Sequence, residues 1–119
     1  MPDYTFFLEN HQLPKGFTYP DEFKKILNLG IVNIKPWYIL DGEMLIKKKN
    51  GLDERYPKLL LIPFARRDDN DDVACWSLLR PGIVIVIHDF SDFEWSEVDQ
   101  FDSFWSWFKL AINDMIEFN

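Results

Sequence analysis

The chain has 119 residues and a formal net charge of −7, with 47% hydrophobic and 17% aromatic residues. A chain of this length forms one domain, residues 1–119, which buries roughly two thirds of its unfolded surface, and its hydrophobic content excludes an intrinsically disordered protein. The acidic net charge argues against a nucleic-acid-binding protein, and no apolar run approaches the roughly 18 residues that span a bilayer.

The N-terminal third is predicted to contain loops and one short helix. Pro14 and Pro20 push the residues before them out of the helical region. Residues 21–27 carry acidic side chains first and basic side chains after them, with apolar residues at three- and four-residue spacing. We therefore expect a helix here that ends near Asn28 or Gly30.

The middle of the chain is predicted to form five short strands. Residues 37–40 and 43–46 flank Asp41-Gly42, a strong indication of a hairpin, and the basic run 47–51 is interpreted as an exposed turn. The other three predicted strands are residues 59–65, 73–78 and 83–88. Connections this short join antiparallel neighbours, because a parallel crossover needs a dozen or more residues.

The C-terminal segment is predicted to be an amphipathic helix that follows a start resembling a capping box at Ser96 and Asp99. At about 100° per residue, seven apolar residues share one face, which is interpreted as the core face. These residues are Phe104, Trp105, Phe108, Ala111, Ile112, Met115 and Ile116. Trp107 and Phe118 lie outside this face and are candidates for a partner-facing edge. The predicted fold is therefore α+β, an antiparallel sheet of about five strands with helices packed on one side.

The charge is distributed unevenly along the chain. Residues 1–67 hold 11 Lys/Arg and 8 Asp/Glu, a balance of +3, whereas residues 68–119 hold 2 and 12, a balance of −10. A field of one sign on half of a small domain attracts a basic partner. The simpler alternative is that the acidic balance only keeps the protein soluble.

The order of elements from Leu59 to Phe108 resembles the SUKH superfamily. The strand containing Ile62-Pro63-Phe64 precedes a polar turn, and the strand IVIVIHD at 83–89 precedes a C-terminal helix with the pattern F-x-S-F at 101–104. SUKH proteins are mostly small bacterial immunity proteins, together with fungal cell-wall assembly regulators. The resemblance spans residues 13–118 and implies the same α+β arrangement. One departure is that the polar turn, often glycine-rich in the family, here contains four aspartates.

No catalytic constellation competes with this resemblance. His88 is followed by Asp89, so a His–Asp pair for general-base chemistry is conceivable, but neither a nucleophile elbow nor a Gly-rich oxyanion motif accompanies it. A histidine at a strand end is more often structural. Cys75, the single cysteine, is expected to be a buried and inert thiol, and the protein is not expected to be an enzyme.

The acidic run 68–72 partly matches a calcium-binding loop, because Asp68, Asn70 and Asp72 occupy the first three ligand positions of an EF-hand. The match then fails, since Val73 stands where glycine is required and Leu79 where glutamate is required. An exposed turn is the simpler interpretation, and neither a metal nor a cofactor is expected.

The N-terminus and the cysteine content together predict a cytoplasmic protein. Residues 1–4 include neither a basic segment nor an apolar one that would mark secretion, and a single cysteine fits a reducing compartment.

The resemblance and the charge distribution together favour a non-enzymatic immunity protein. It would bind a cognate toxin, a nuclease domain with a basic cleft, and mask that cleft with an acidic face, without contacting nucleic acid or membrane itself. The predicted contact residues are Asp68, Asp69, Asp71, Asp72, Asp89, Asp92, Phe93, Glu94, Trp95 and Glu97. The alternative is a regulatory or scaffolding module of the cell-wall regulator type. A third hypothesis, a small hydrolase, would require turnover that depends on His88.

Overall fold

The computed structural model describes residues 6–89 and 97–118. The helices and strands, in chain order, are α1 Asp21–Asn28, β1 Asn33–Ile34, β2 Trp37–Ile39, α2 Gly42–Arg55, β3 Leu61–Arg67, β4 Asp72–Ser77, β5 Arg80–His88, β6 Glu97–Phe101 and α3 Phe104–Glu117. The strands form one antiparallel sheet in which each strand pairs with the next along the chain. The α+β prediction is therefore confirmed, with six strands among the described residues in place of about five.

An apolar core lies on each face of the sheet. In β4, Trp76 belongs to the larger core and its neighbour Cys75 to the smaller one, because successive side chains of a strand point to opposite faces. Helices α1 and α3 cover the larger core through Phe23 and Trp107, while α2 covers the smaller core through Leu52. The prediction of helices on one side only is thus wrong, because α2 was not anticipated.

The hairpin predicted at Asp41-Gly42 does not form. Gly42 adopts a positive φ of 54°, but Asp41 is extended with φ −146°, and the tight turn that Asp-Gly favours needs positive φ at both residues. The chain instead continues directly into α2, which includes the basic run that was interpreted as an exposed turn.

The amphipathic pattern of α2 is hard to recognise in the sequence because one of its buried residues is a lysine. Its buried residues are Leu45, Lys49 and Leu52, spaced four and three apart as in any amphipathic helix. Lys49 is 5% exposed, and its ammonium bonds both carboxylate oxygens of Asp53, one turn later, at 2.6 and 2.7 Å. Because Lys49 is charged although it faces the core, the sequence pattern of this segment is typical of a solvated loop.

Helix α3 begins later than predicted. Its N-cap is Ser103, whose hydroxyl accepts a hydrogen bond from the Ser106 backbone N–H at 3.2 Å. The expected start at Ser96 and Asp99 is wrong, because residues 97–101 pair with β5 and form the edge strand β6. Exposed Asp99 lies on this edge, where charge discourages pairing with another chain.

Helix α3 is also rotated relative to the predicted face. Trp107 is completely buried, whereas Trp105 is 36% and Ile116 is 70% exposed. The cause is Asp114, which lies towards the sheet and accepts a hydrogen bond from the Trp37 indole N–H at 2.9 Å. Because Asp114 is satisfied there, the helix turns Trp107 inward and Trp105 outward, the reverse of the prediction.

Candidate functional site

The acidic hairpin, defined as residues Asp68 to Asp72, connects β3 to β4 at one end of the sheet. Its backbone is held by several hydrogen bonds, among them one from the Asp89 N–H to the Asp71 carbonyl at 3.0 Å. The Asp68 N–H donates to the Pro36 carbonyl at 2.7 Å, and the Asp72 N–H donates to Asn70 Oδ1 at 2.8 Å. None of the five residues has a positive φ, so the connection needs no glycine. The departure from a glycine-rich turn is thereby explained.

Arg67 engages one of the hairpin carboxylates. Its guanidinium donates two hydrogen bonds to Asp69, at 2.8 and 3.0 Å, and one to Asp114 of α3 at 3.2 Å. The hydrogen bond from Arg67 holds the pKa of Asp69 below its usual value, and the same bond raises the pKa of Arg67. Asp69 therefore stays ionised but already has an internal cation.

Asp72 is paired across the sheet with His88. The two residues lie directly opposite in the β4–β5 register, with Asp72 Oδ1 2.9 Å from His88 Nδ1. The side chain of His88 is about half exposed. The conceivable His88–Asp89 pair does not form, because adjacent residues of a strand face opposite sides and Asp89 binds other groups.

The single cysteine lies apart from this pair. Cys75 lies buried in the smaller core, and burial raises the pKa of its thiol, so the reactive thiolate is disfavoured. Across residues 6–89 and 97–118, no three His, Cys, Asp or Glu side chains converge into an arrangement that could hold a metal ion.

Asp68 and Asp71 differ from their neighbours in the acidic hairpin. Both residues are exposed, and within the described part of the chain neither carboxylate has a hydrogen-bond or ion-pair partner. Since nearby like charges repel each other, a cation supplied from outside is favoured here. Of the four predicted hairpin aspartates, these two are the groups available to a partner.

Asp89 is not a surface residue, so its assignment to the partner-binding face is wrong. Its side chain is 0% exposed and lies between β5 and α2. Arg55 donates to both carboxylate oxygens, at 2.8 and 2.6 Å, and Lys48 donates to Oδ2 at 2.9 Å. Two cations from α2 thus bind this carboxylate, which makes it a structural group.

The other predicted contact residues are only partly placed. Glu97 is the first residue of β6, opposite Ile87 of β5. Asp92, Phe93, Glu94 and Trp95 lie outside the described residues.

Helix α3 presents an exposed apolar surface that the sequence assigned to the core. The residues concerned are Trp105 at 36%, Met115 at 41% and Ile116 at 70% exposure. Large apolar and aromatic side chains of this kind are enriched in protein interfaces. Asp114, the charged residue of α3 that lies towards the sheet, is the sequence feature that indicates the rotation of α3.

Comparisons with protein-family models, with curated proteins and with solved structures returned no match. Among the helices that the structure describes, none combines the length and the apolarity needed to cross a bilayer.

Proposed function

We propose that this chain is a non-enzymatic immunity protein of the SUKH type. It binds a toxin domain in the cytoplasm and occupies a basic cleft that the toxin uses for nucleic acid. The observation that carries this proposal is the pair Asp68 and Asp71, two exposed carboxylates without a cationic partner among the described residues, on a hairpin whose backbone is held by hydrogen bonds. The proposal also rests on the sequence resemblance to SUKH proteins.

The two hairpin carboxylates that have a partner within the protein, Asp69 and Asp72, support binding indirectly. Arg67 holds Asp69, and His88 holds Asp72, so Asp68 and Asp71, which have no partner among the described residues, each lie next to an anchored aspartate. Pre-organised charges lose little conformational freedom on association, and complementary charge accelerates the encounter with a basic partner. Charge alone gives modest affinity, so additional apolar contacts are needed to hold the complex.

A regulatory or scaffolding module remains the second candidate. It is favoured by the exposed apolar residues of α3, Trp105, Met115 and Ile116, which a purely electrostatic contact would leave unused. Gene neighbourhood separates the two candidates, because a toxin gene next to this one supports immunity and a neighbourhood without such a gene supports the scaffold.

The test uses the toxin domain encoded by the adjacent gene. Association is measured by stopped flow at low and high salt for the native chain and for Asp68→Asn/Asp71→Asn. We expect the double variant to associate roughly threefold to tenfold more slowly at low salt, with the difference shrinking at high salt because the charges are screened.

The matched control is Asp41→Asn/Glu54→Gln, which removes the same charge from two exposed positions elsewhere. It should associate at nearly the native rate. Equal slowing in both double variants would assign the effect to net charge and remove the hairpin from the interface. Unchanged association of Asp68→Asn/Asp71→Asn would contradict the proposal.

A further inference from the structure

A second charged site lies on the face of the sheet that α2 covers. It is a groove of about 240 Å³ between α2 and β3, called here the basic groove. Its lining residues are Leu40, Met44, Lys47, Lys48, Gly51, Arg55 and Arg66. Four of these seven residues are cationic, in a chain whose net charge is −7. The groove is therefore a locally basic region of an acidic protein.

Two of the four cations of the basic groove are held by a buried carboxylate. Lys48 and Arg55 both bind the buried carboxylate of Asp89. Gly51 permits this arrangement, because a Cβ at that position would lie 2.7 Å from Arg55 Nη2. A glycine in the middle of a helix is less favourable than alanine, and here it allows the guanidinium to lie against the helix.

The other two cations of the basic groove, Lys47 and Arg66, are not neutralised by any carboxylate that the structure describes. Lys47 on α2 is exposed and Arg66 on β3 is partly buried, and no described carboxylate forms an ion pair with either. Arg66 makes one long hydrogen bond, from Nε to the Arg67 carbonyl at 3.4 Å, and its guanidinium carbon lies 5.9 Å from the centre of the Tyr38 ring. Its Nη groups remain available to an anion.

The basic groove and the acidic hairpin belong to different faces. Arg66 pairs in register with Val73 of the smaller core, whereas Arg67, the next residue, reaches Asp114 on α3. Adjacent strand residues point to opposite sides, so a ligand in the groove would not contact the Arg67–Asp69 pair.

We propose that the basic groove binds a phosphate monoester. A phosphate ester carries nearly two negative charges at neutral pH, which matches two cations, and arginine binds phosphate oxygens through parallel N–H donors. A carboxylate offers only one charge. Met44 and Leu40 line the same groove and provide an apolar surface for the organic group of the ester. This inference is independent of toxin binding.

The test is a calorimetric titration of the native chain with phenyl phosphate, inorganic phosphate and phenylacetate at matched ionic strength. We expect phenyl phosphate to bind more tightly than either of the other two. Lys47→Gln/Arg66→Gln should weaken phenyl phosphate binding by about tenfold or more, since both charge-assisted contacts are lost.

Lys25→Gln/Lys58→Gln is the control, because it removes two exposed cations outside the groove. It should change the affinity by less than about twofold at matched ionic strength. Met44→Ala should weaken phenyl phosphate and leave inorganic phosphate unaffected. Thermal melts verify that each variant is folded.

Three results would overturn the proposal. The first is no binding of phenyl phosphate at millimolar concentration, and the second is equal weakening in the two double variants, which would indicate a general charge effect. The third is equal affinity for phenyl phosphate and either of the other probes, which would remove the phosphate group or the organic group from recognition.

Discussion

Asp89, Asp68 and Asp71 are all acidic residues that the sequence assigns to a partner-binding face. In the fold, Asp89 has the opposite role to the other two. The side chain of Asp89 is 0% exposed and receives hydrogen bonds from Lys48 and Arg55, which lie 41 and 34 residues earlier in the chain. The carboxylates of Asp68 and Asp71 are exposed and have no partner among the described residues. An acidic segment therefore indicates a binding surface only where the fold does not supply its own cations.

Substitution of buried Asp89 should have the largest effect on the free energy of unfolding. Asp89→Asn should destabilise the protein by about 3–5 kcal/mol, because removing one member of a buried ion group leaves the remaining charges uncompensated. Chemical denaturation measures the free energy of unfolding, with Asp68→Asn as the exposed control. A loss below about 1 kcal/mol would show that Asp89 contributes no more than a surface ion pair does.

The two tryptophans of α3 provide a similar contrast within one helix. Trp107 packs against Trp37 and Phe64, with ring centres 5.4 and 4.9 Å apart, and is completely buried. Trp107→Ala should cost about 3–5 kcal/mol, whereas Trp105→Ala should cost much less, because Trp105 is partly exposed. Thermal melts of the two variants measure the difference. Equal losses, or a larger loss at Trp105, would contradict the observed rotation of α3.

The sequence predicted the elements whose pattern is set locally. Helix α1 and the four strands β2, β3, β4 and β5 lie close to their predicted positions. In β4 and β5 a run of apolar residues between turns is enough to define a strand buried on both faces.

Helix α2 and the buried face of α3 depend on side-chain pairs that the hydrophobic pattern does not show. Helix α2 was missed because Lys49 is buried beside Asp53, and the face of α3 was misassigned because Asp114 is bound by Trp37, 77 residues away. The acidic hairpin was correctly located as a loop. Which of its carboxylates have a partner depends on Arg67, two residues from Asp69, and on His88, 16 residues from Asp72, and the sequence does not show which carboxylate each of them binds.

The pH dependence of the Arg67–Asp69 pair gives a smaller predicted effect. Because the pKa of Asp69 is lowered in the folded protein, its contribution to stability is present above the ordinary value of 3.8 and is lost as the pH falls through the folded value. Asp69→Asn should therefore be slightly less stable than the native chain at pH 7, by less than about 1 kcal/mol for an exposed pair.

Melting temperatures of the native chain and Asp69→Asn, measured from neutral to acidic pH, test this linkage. The difference between them should narrow below about pH 4, as the native carboxylate becomes protonated. A difference that is constant over the whole range would show that Asp69 stabilises the fold through something other than its charge.

The smallest effect on stability is expected at Asp68 and Asp71. Neither carboxylate has a partner among the described residues, so Asp68→Asn/Asp71→Asn should change the free energy of unfolding by less than about 0.5 kcal/mol. Any change should be a gain, because the substitution removes repulsion within the acidic hairpin, and the gain should disappear at high salt. Thermal melts at low and high salt measure both properties.

Added calcium should leave the melting temperature of the native chain unchanged, since the EF-hand pattern is broken at Val73 and Leu79. A calcium-dependent rise that the double variant lacks would assign the two aspartates to a metal site, and their role in binding a basic partner would then lose its basis.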